Sequence, residues 1–242
     1  MKFSYVKEYG VLYLFFCAYW IYTRFAYFKS PFLLQSETII VDMNSCFAGF
    51  NIYTVTASIF LLYYLVLLIR RIPAISEIEL IRETSRARYF FDVSKKIGMH
   101  SLIFVCLIVL VNLSFNGILL GAKGLQPLVC RTFCVYGVML LLYIMILASL
   151  YWFLNLCFDS HTKSLLITVL VSLLFVLLQV KIPFRYWTPL TSFLVIGPLI
   201  KGKAIGTHIV VDIIKDLAIL GVISFVNYRT FCRKDVLSSL ES

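Results

Sequence analysis

Residues 52–71 read IYTVTASIFLLYYLVLLIRR. The run carries no charge until it meets Arg70 and Arg71. A helix that crosses a bilayer needs about 20 mostly apolar residues, because each adds about 1.5 Å against a hydrocarbon thickness of about 30 Å. This stretch has that length. The paired arginines place a hydrated boundary at its end. It therefore reads as a transmembrane helix, and it sets the scale for the rest of the chain.

Five more apolar runs match it, at residues 9–28, 100–120, 133–158, from Ser164 onward, and 209–226. The run over 133–158 is long enough to need tilt. The predicted fold class is thus an all-α integral membrane protein with six transmembrane helices, forming a single transmembrane domain over residues 1–242. Composition agrees. The chain is 61% hydrophobic and 14% charged, with a mean hydropathy of +0.94. A soluble domain is about half apolar and about a quarter charged. Residues 1–10 do not read as a cleavable signal, since the apolar run after them is long and aromatic and no small-residue cleavage site follows.

The formal charge of +10 raises the question of nucleic acid. The basic residues flank apolar runs instead of forming one soluble face, so membrane topology accounts for them and no nucleic-acid partner is expected. Most fall on one side if both termini are cytoplasmic: Lys2 and Lys7, the group from Arg70 to Lys96, Lys163, and Arg229, Arg233 and Lys234. Tyr19, Trp20, Tyr22, Tyr151, Trp152, Tyr186 and Trp187 lie near span ends, where amphipathic rings favour the headgroup level.

Residues 81–91, IRETSRARYFF, form the polar interruption after the second span. Ser76 and Glu79 have capping-box spacing, and Ile75, Ile78 and Ile81 recur at helical spacing. The segment reads as a short amphipathic helix on the inner face. Thr84 and Ser85 would cap a second short turn leading through Arg88 back to the membrane. Anchoring on anionic headgroups is one role for it. Glu77, Glu79 and Glu83 oppose that role, and a mixed-charge face suits a protein groove better. The candidate docking residues are Glu79, Arg82, Glu83, Ser85, Arg86 and Arg88.

Residues 181–208, KIPFRYWTPLTSFLVIGPLIKGKAIGTH, are apolar yet interrupted by prolines and glycines. One continuous helix is forbidden. The reading is a re-entrant pair of short helices before span six, over 189–196 and 198–204, broken at Gly197 and Pro198. An interfacial loop is the plainer alternative. Candidate gate or pathway residues are Pro189, Gly197, Pro198, Asp212, Lys215, Asp216, Asn112 and Asn116. Charges within a span are costly and point to function. For the two asparagines, hydrogen bonding between helices is the simpler role.

No metal-ligand spacing, nucleophile elbow or glutamate pair is present, so neither a catalytic site nor a metal is expected in this chain. Cys130 and Cys134 near an outer boundary, and Cys46 in an outer loop, leave both free thiols and a disulfide open. The total of seven is odd, so at least one thiol is free or pairs between chains.

The six-span layout, the R-x-x-S-R pattern from Arg82 to Arg86 and the broken stretch before span six resemble the small ABC-2 type permeases of bacterial ABC transporters. The resemblance implies that the segment after span two is a coupling helix seated in a cytosolic ABC ATPase dimer. It also implies re-entrant helices at an outer gate and a second permease subunit. The chain has no Walker A pattern, GxxxxGK[ST], and no nucleotide-binding domain. ATP and Mg would therefore belong to the partner ATPase, with no cofactor bound here. The expected function is export of an amphipathic or hydrophobic substrate, a peptide or lipid-like molecule. Antimicrobial-peptide export or immunity is the usual setting of such permeases, in the bacterial plasma membrane among its lipids. The alternative is a non-transporting immunity or sensor membrane protein.

Overall fold

The computed structural model of the protein describes residues 2–27, 36–44, 50–71, 86–181, 187–191, 193, 196–201 and 206–233. All regular structure among them is helical. In chain order the elements are α1 (Lys2–Tyr27), α2 (Ser36–Met43), α3 (Tyr53–Arg71), α4 (Arg86–Leu120), α5 (Pro127–Phe158), α6 (His161–Lys181), α7 (Ile196–Ile200) and α8 (Gly206–Arg233). Four are long and apolar enough to cross a membrane: α3, α4 with the turn that follows it, α5 and α6. The chain is an all-α, multi-pass membrane protein.

The other two long helices are mixed in composition. α1 has 26 residues but dilutes its apolar content with Tyr13, Tyr19, Trp20, Tyr22 and Arg24. α8 has 28 residues, with Asp212, Lys215 and Asp216 early and Arg229 and Arg233 late. Its charge-free stretch, 217–228, rises only about 18 Å, short of a hydrocarbon layer of about 30 Å.

α5 is the hub. The middle of its sequence, VMLLLYIMILASLYW, offers no polar face, and a helix apolar all round belongs inside. Its apolar window is 61% buried within the protein, against 28% for α6. α4, α6, α7 and α8 all pack on it, while α1 packs on α4 and α3 bridges α4 and α6. α6 shows the opposite division. Ser164, Thr168, Ser172, Val176 and Gln179 are buried at near-helical repeats, and Leu166, Leu170, Leu174 and Leu177 are exposed on the other side. A wide exposed apolar shell around a buried stripe of small polar residues is the pattern of helices packed in lipid.

Contacts between helix ends give their directions. Glu8 near the start of α1 pairs with Arg71 at the end of α3. The Tyr9 hydroxyl meets His100 Nδ1. Arg86 Nη1 donates to the Cys232 carbonyl at 2.8 Å, joining the start of α4 to the end of α8. The Tyr151 hydroxyl lies 2.7 Å from His161 Nδ1, joining the end of α5 to the start of α6. The six long helices therefore alternate in direction. Arg70, Arg71, Arg86, Arg88, Lys163, Arg229 and Arg233 collect at one end, which is called the basic end below.

α4 corrects one expectation. Arg86 and Arg88 are not on a separate short turn, because one helix runs unbroken from Arg86 to Leu120. Its 35 residues rise about 52 Å, well beyond a bilayer core. The run Tyr89, Phe90 explains the continuity. Both rings are buried against α8 and α5, with Tyr89 stacked on Phe231 at 5.8 Å and Phe90 on Trp152 at 4.9 Å. The expected capping box, and the docking residues Glu79, Arg82, Glu83 and Ser85, lie outside the described residues.

At its other end α4 stops at Gly121, whose φ of +58° is left-handed, and a tight turn over Gly121–Leu125 folds back on the helix. Gly124 makes that return fit: a Cβ there would lie 2.1 Å from the Asn116 carbonyl oxygen. The replacement Gly124→Ala is expected to destabilise the protein by about 1–3 kcal/mol, the usual cost of forcing atoms into a packed site. Gly10→Ala, where a Cβ meets open space, should be close to neutral. Thermal unfolding of both variants in detergent checks this, and equal melting points would refute the close approach.

Candidate functional site

The half of the bundle away from the basic end has a polar interior, and it begins with an irregularity in α3. Residues Thr56–Phe60 form one wider π turn inside the helix. The Ser58 hydroxyl bonds back to the Thr54 carbonyl, a contact that competes with the helical ladder. Within this turn the Ala57 carbonyl accepts a hydrogen bond from Ser172 Oγ of α6 at 2.8 Å. Tyr143 OH of α5 lies 2.6 Å from the same Ser172 oxygen. A serine hydroxyl has one proton. Ser172 gives it to Ala57, so Tyr143 donates to Ser172. One directed chain, Tyr143 to Ser172 to Ala57, joins three helices at fully buried positions.

Residues 187–191 and 193 lie against this junction. Thr191 N–H bonds to the Thr188 carbonyl at 2.9 Å, and Phe193 N–H to that of Leu190 at 3.1 Å, so the backbone coils into tight turns. Thr188, Pro189, Leu190 and Phe193 are buried. The Phe193 ring sits among three tyrosines, 5.3 Å from Tyr143, 5.6 Å from Tyr136 and 6.3 Å from Tyr53. Thr188 Oγ1 reaches Gln179 Oε1 of α6 at 3.5 Å. The segment is a plug between α3, α5 and α6.

The plug also meets the charges of α8. Lys215 Nζ lies 5.4 Å from the centre of the Trp187 ring and 3.7 Å from Asp212 Oδ1. Asp216 is fully buried on the same helix. Pro189, Asp212 and Lys215 thus fall in one neighbourhood, as residues of the plug and the helix beside it. Asn112 and Asn116 belong to another seam, under the turn that returns over α4. Asn112 Nδ2 bonds to Ile108 O of its own helix at 3.1 Å, so this amide supports its helix and does not link two.

The expected break at Gly197 and Pro198 is corrected. α7 begins at Ile196 and runs through both residues to Ile200. Proline fits the first turn of a helix, where its missing N–H costs nothing. Of the helix expected over 189–196, residues 189–191 and 193 stand in tight turns and residue 196 begins α7, while 192, 194 and 195 lie outside the described residues; α7 packs on α5 and α2. The end of the second expected helix, 202–204, lies outside the described residues.

Hydroxyls, amides and aromatic rings dominate this interior. Thr56 Oγ1 and Gln179 Nε2 are buried without a hydrogen-bond partner among the described residues. Cys17, Cys106, Cys130, Cys134, Cys157 and Cys232 are free thiols, while Cys46 lies outside the described residues. Comparison of the chain with family models, curated proteins and solved structures finds no match.

Sequence reasoning missed Tyr143, Ser172 and Phe193. The four-residue repeat Ser164, Thr168, Ser172 in an otherwise apolar helix was the available signal, since such a stripe faces protein and not lipid. Hydrogen bonds between membrane helices contribute about 0.6–2 kcal/mol each. Ser172→Ala removes two and should lower stability by about 1–3 kcal/mol. In that background Tyr143→Phe should add almost nothing. A double-mutant cycle by reversible unfolding in detergent measures it, and additive losses would contradict the shared chain.

Proposed function

We propose that this chain is the membrane subunit of an ABC exporter, with α1 and α8 completing six spans. Its substrate is amphipathic or hydrophobic, a peptide or lipid-like molecule, and its power comes from a separate ATPase dimer that holds ATP and Mg. The observation that carries this reading is the buried plug formed by residues 187–191 and 193. Non-helical backbone at membrane depth is tolerated only where protein buries it or where it lines a cavity. Here it fills the space between three helices and touches charged side chains of a fourth. A plug of this kind is suited to closing a path from the outer side.

The collected arginines and lysines support a cytoplasmic basic end, with both termini inside a bacterial plasma membrane. Arg86 and Arg88, with Glu79, Arg82, Glu83 and Ser85 before them, would face the ATPase. The exposed apolar flanks of α6 and α8 leave room for a second permease subunit or for lipid. The non-transporting reading, an immunity or sensor protein, draws on the same plug: Phe193 wedged among three tyrosines also describes a permanently filled interior.

Copurification of the chain with an ATPase from its native membrane is the deciding experiment. Charge reversal at Arg82 and Arg86 should release the ATPase and leave membrane insertion intact. Phe193→Ala should change export while the ATPase stays bound. An ATPase that remains bound and stimulated after the reversal would remove the docking role. Unaltered resistance to a membrane-active peptide when no ATPase copurifies would leave the sensor reading in its place.

A further inference from the structure

At the basic end α4 and α8 meet along a seam with an unusual construction. Its floor is aromatic. Tyr89 stacks on Phe231, and Phe90 contacts Trp152 at 4.9 Å and Tyr228 edge-on at 5.2 Å. Its rim is cationic. Arg86, Arg229 and Arg233 are all exposed. Arg229 and Arg233 are one turn apart on α8, and Arg86 is fastened beside them through the Cys232 carbonyl.

Arg229 gives the height of the rim. Its guanidinium does not extend along the helix axis away from the membrane. It folds back over the Phe225 ring, 5.3 Å from the ring centre. Phe225 is 58% exposed and continues the apolar face of α8 through Val222. The charge is therefore held on the border of the hydrocarbon layer. The α4 side agrees. Lys95 is exposed between Phe91 and Met99, which are also exposed one turn either way. A lysine in such a stripe carries its charge to the interface. Arg86 lies nine residues before Lys95, about 13 Å along the helix, within the reach of a headgroup layer.

Charge and geometry select the ligand. Arg86, Arg229 and Arg233 bring three cationic side chains to one rim, beside the exposed apolar side chains Phe225 and Val222. Guanidinium groups form paired hydrogen bonds with phosphate oxygens. A phosphate at the membrane border, with acyl chains running beside Phe225 and Val222, satisfies both the rim and the apolar face. We propose that the α4–α8 seam is a binding site for the headgroup of an anionic phospholipid in the leaflet at the basic end. This inference depends on α4 and α8 being embedded in the membrane. It does not depend on transport or on an ATPase.

The full chain, purified in a neutral detergent, is titrated with phosphatidylglycerol or phosphatidylcholine, and bound lipid is counted by native mass spectrometry. The anionic lipid should be retained about tenfold better, and the triple variant Arg86→Gln, Arg229→Gln, Arg233→Gln should lose that preference. A control variant, Arg70→Gln, Lys96→Gln, Lys163→Gln, removes the same charge from the same end and should keep it. The single exposed change Arg229→Gln serves if the triple variant misfolds, and a several-fold loss is expected from it alone. Equal retention of both lipids by the native protein overturns the proposal. So does an equal loss in the control variant, which would mean diffuse attraction. Competition by inorganic phosphate alone, at concentrations that leave bulk lipid unaffected, would assign the seam to a free anion instead.

Discussion

The hydroxyl of Ser172 stands where α3, α5 and α6 come together, accepting a hydrogen bond from Tyr143 and donating one to the Ala57 carbonyl. In lipid this matters more than its size suggests. Apolar side chains gain little by leaving hydrocarbon for a protein interior that is equally apolar, so helices are held by close packing and a few hydrogen bonds. The Ala57 carbonyl that accepts the Ser172 hydrogen bond lies within the π turn of α3. Phe193 of the plug packs on the same Tyr143, so the plug and the bond chain share one side chain.

The two ends of the bundle are built from different chemistry, and each explains the other. At the basic end, side chains meet through arginine, histidine and tyrosine: Glu8 with Arg71, Tyr9 with His100, Arg86 with the end of α8. These contacts need water nearby or a charged partner. Toward the opposite end the fully buried polar groups among the described residues are neutral hydroxyls and amides, apart from Asp216 of α8.

Much of the fold is legible in the sequence because lipid imposes a length. α3 ends at Arg70 and Arg71, and α5 and α6 follow the apolar runs with little displacement. Legibility fails where tertiary contacts overrule local signals. The start of α4 looked like a boundary because Arg86, Arg88, Lys95 and Lys96 are charged. Burial of Tyr89 and Phe90 against Trp152 and Phe231 carries the helix through them. Gly197 and Pro198 looked like a break, yet a first turn accommodates proline. The site was half legible. Charges in α8 and prolines before it mark the neighbourhood, but no local pattern reveals that Phe193 lodges among tyrosines from two other helices. That arrangement depends on residues far apart in the chain.

α8 shows how far one helix depends on another. Its apolar side chains, including Val211, Ile214, Leu217, Val222 and Phe225, are exposed. Only Asp216, Asn227 and Phe231 are buried, and two of these are polar. By composition it is a poor membrane helix, too charged at both ends for the hydrocarbon between. α5 supplies what it lacks. Asn227 Nδ2 donates to the Ser149 carbonyl at 2.9 Å, and Phe231 packs on Trp152. With α5 alongside, Asp216 and Asn227 of α8 are buried against protein, while most of its apolar residues are exposed. The same helix alone would carry Asp216 and Asn227 into hydrocarbon at a cost of several kcal/mol. α8 is therefore a companion of α5, joined to it at one end while its charged first half lies beside Trp187 at the other.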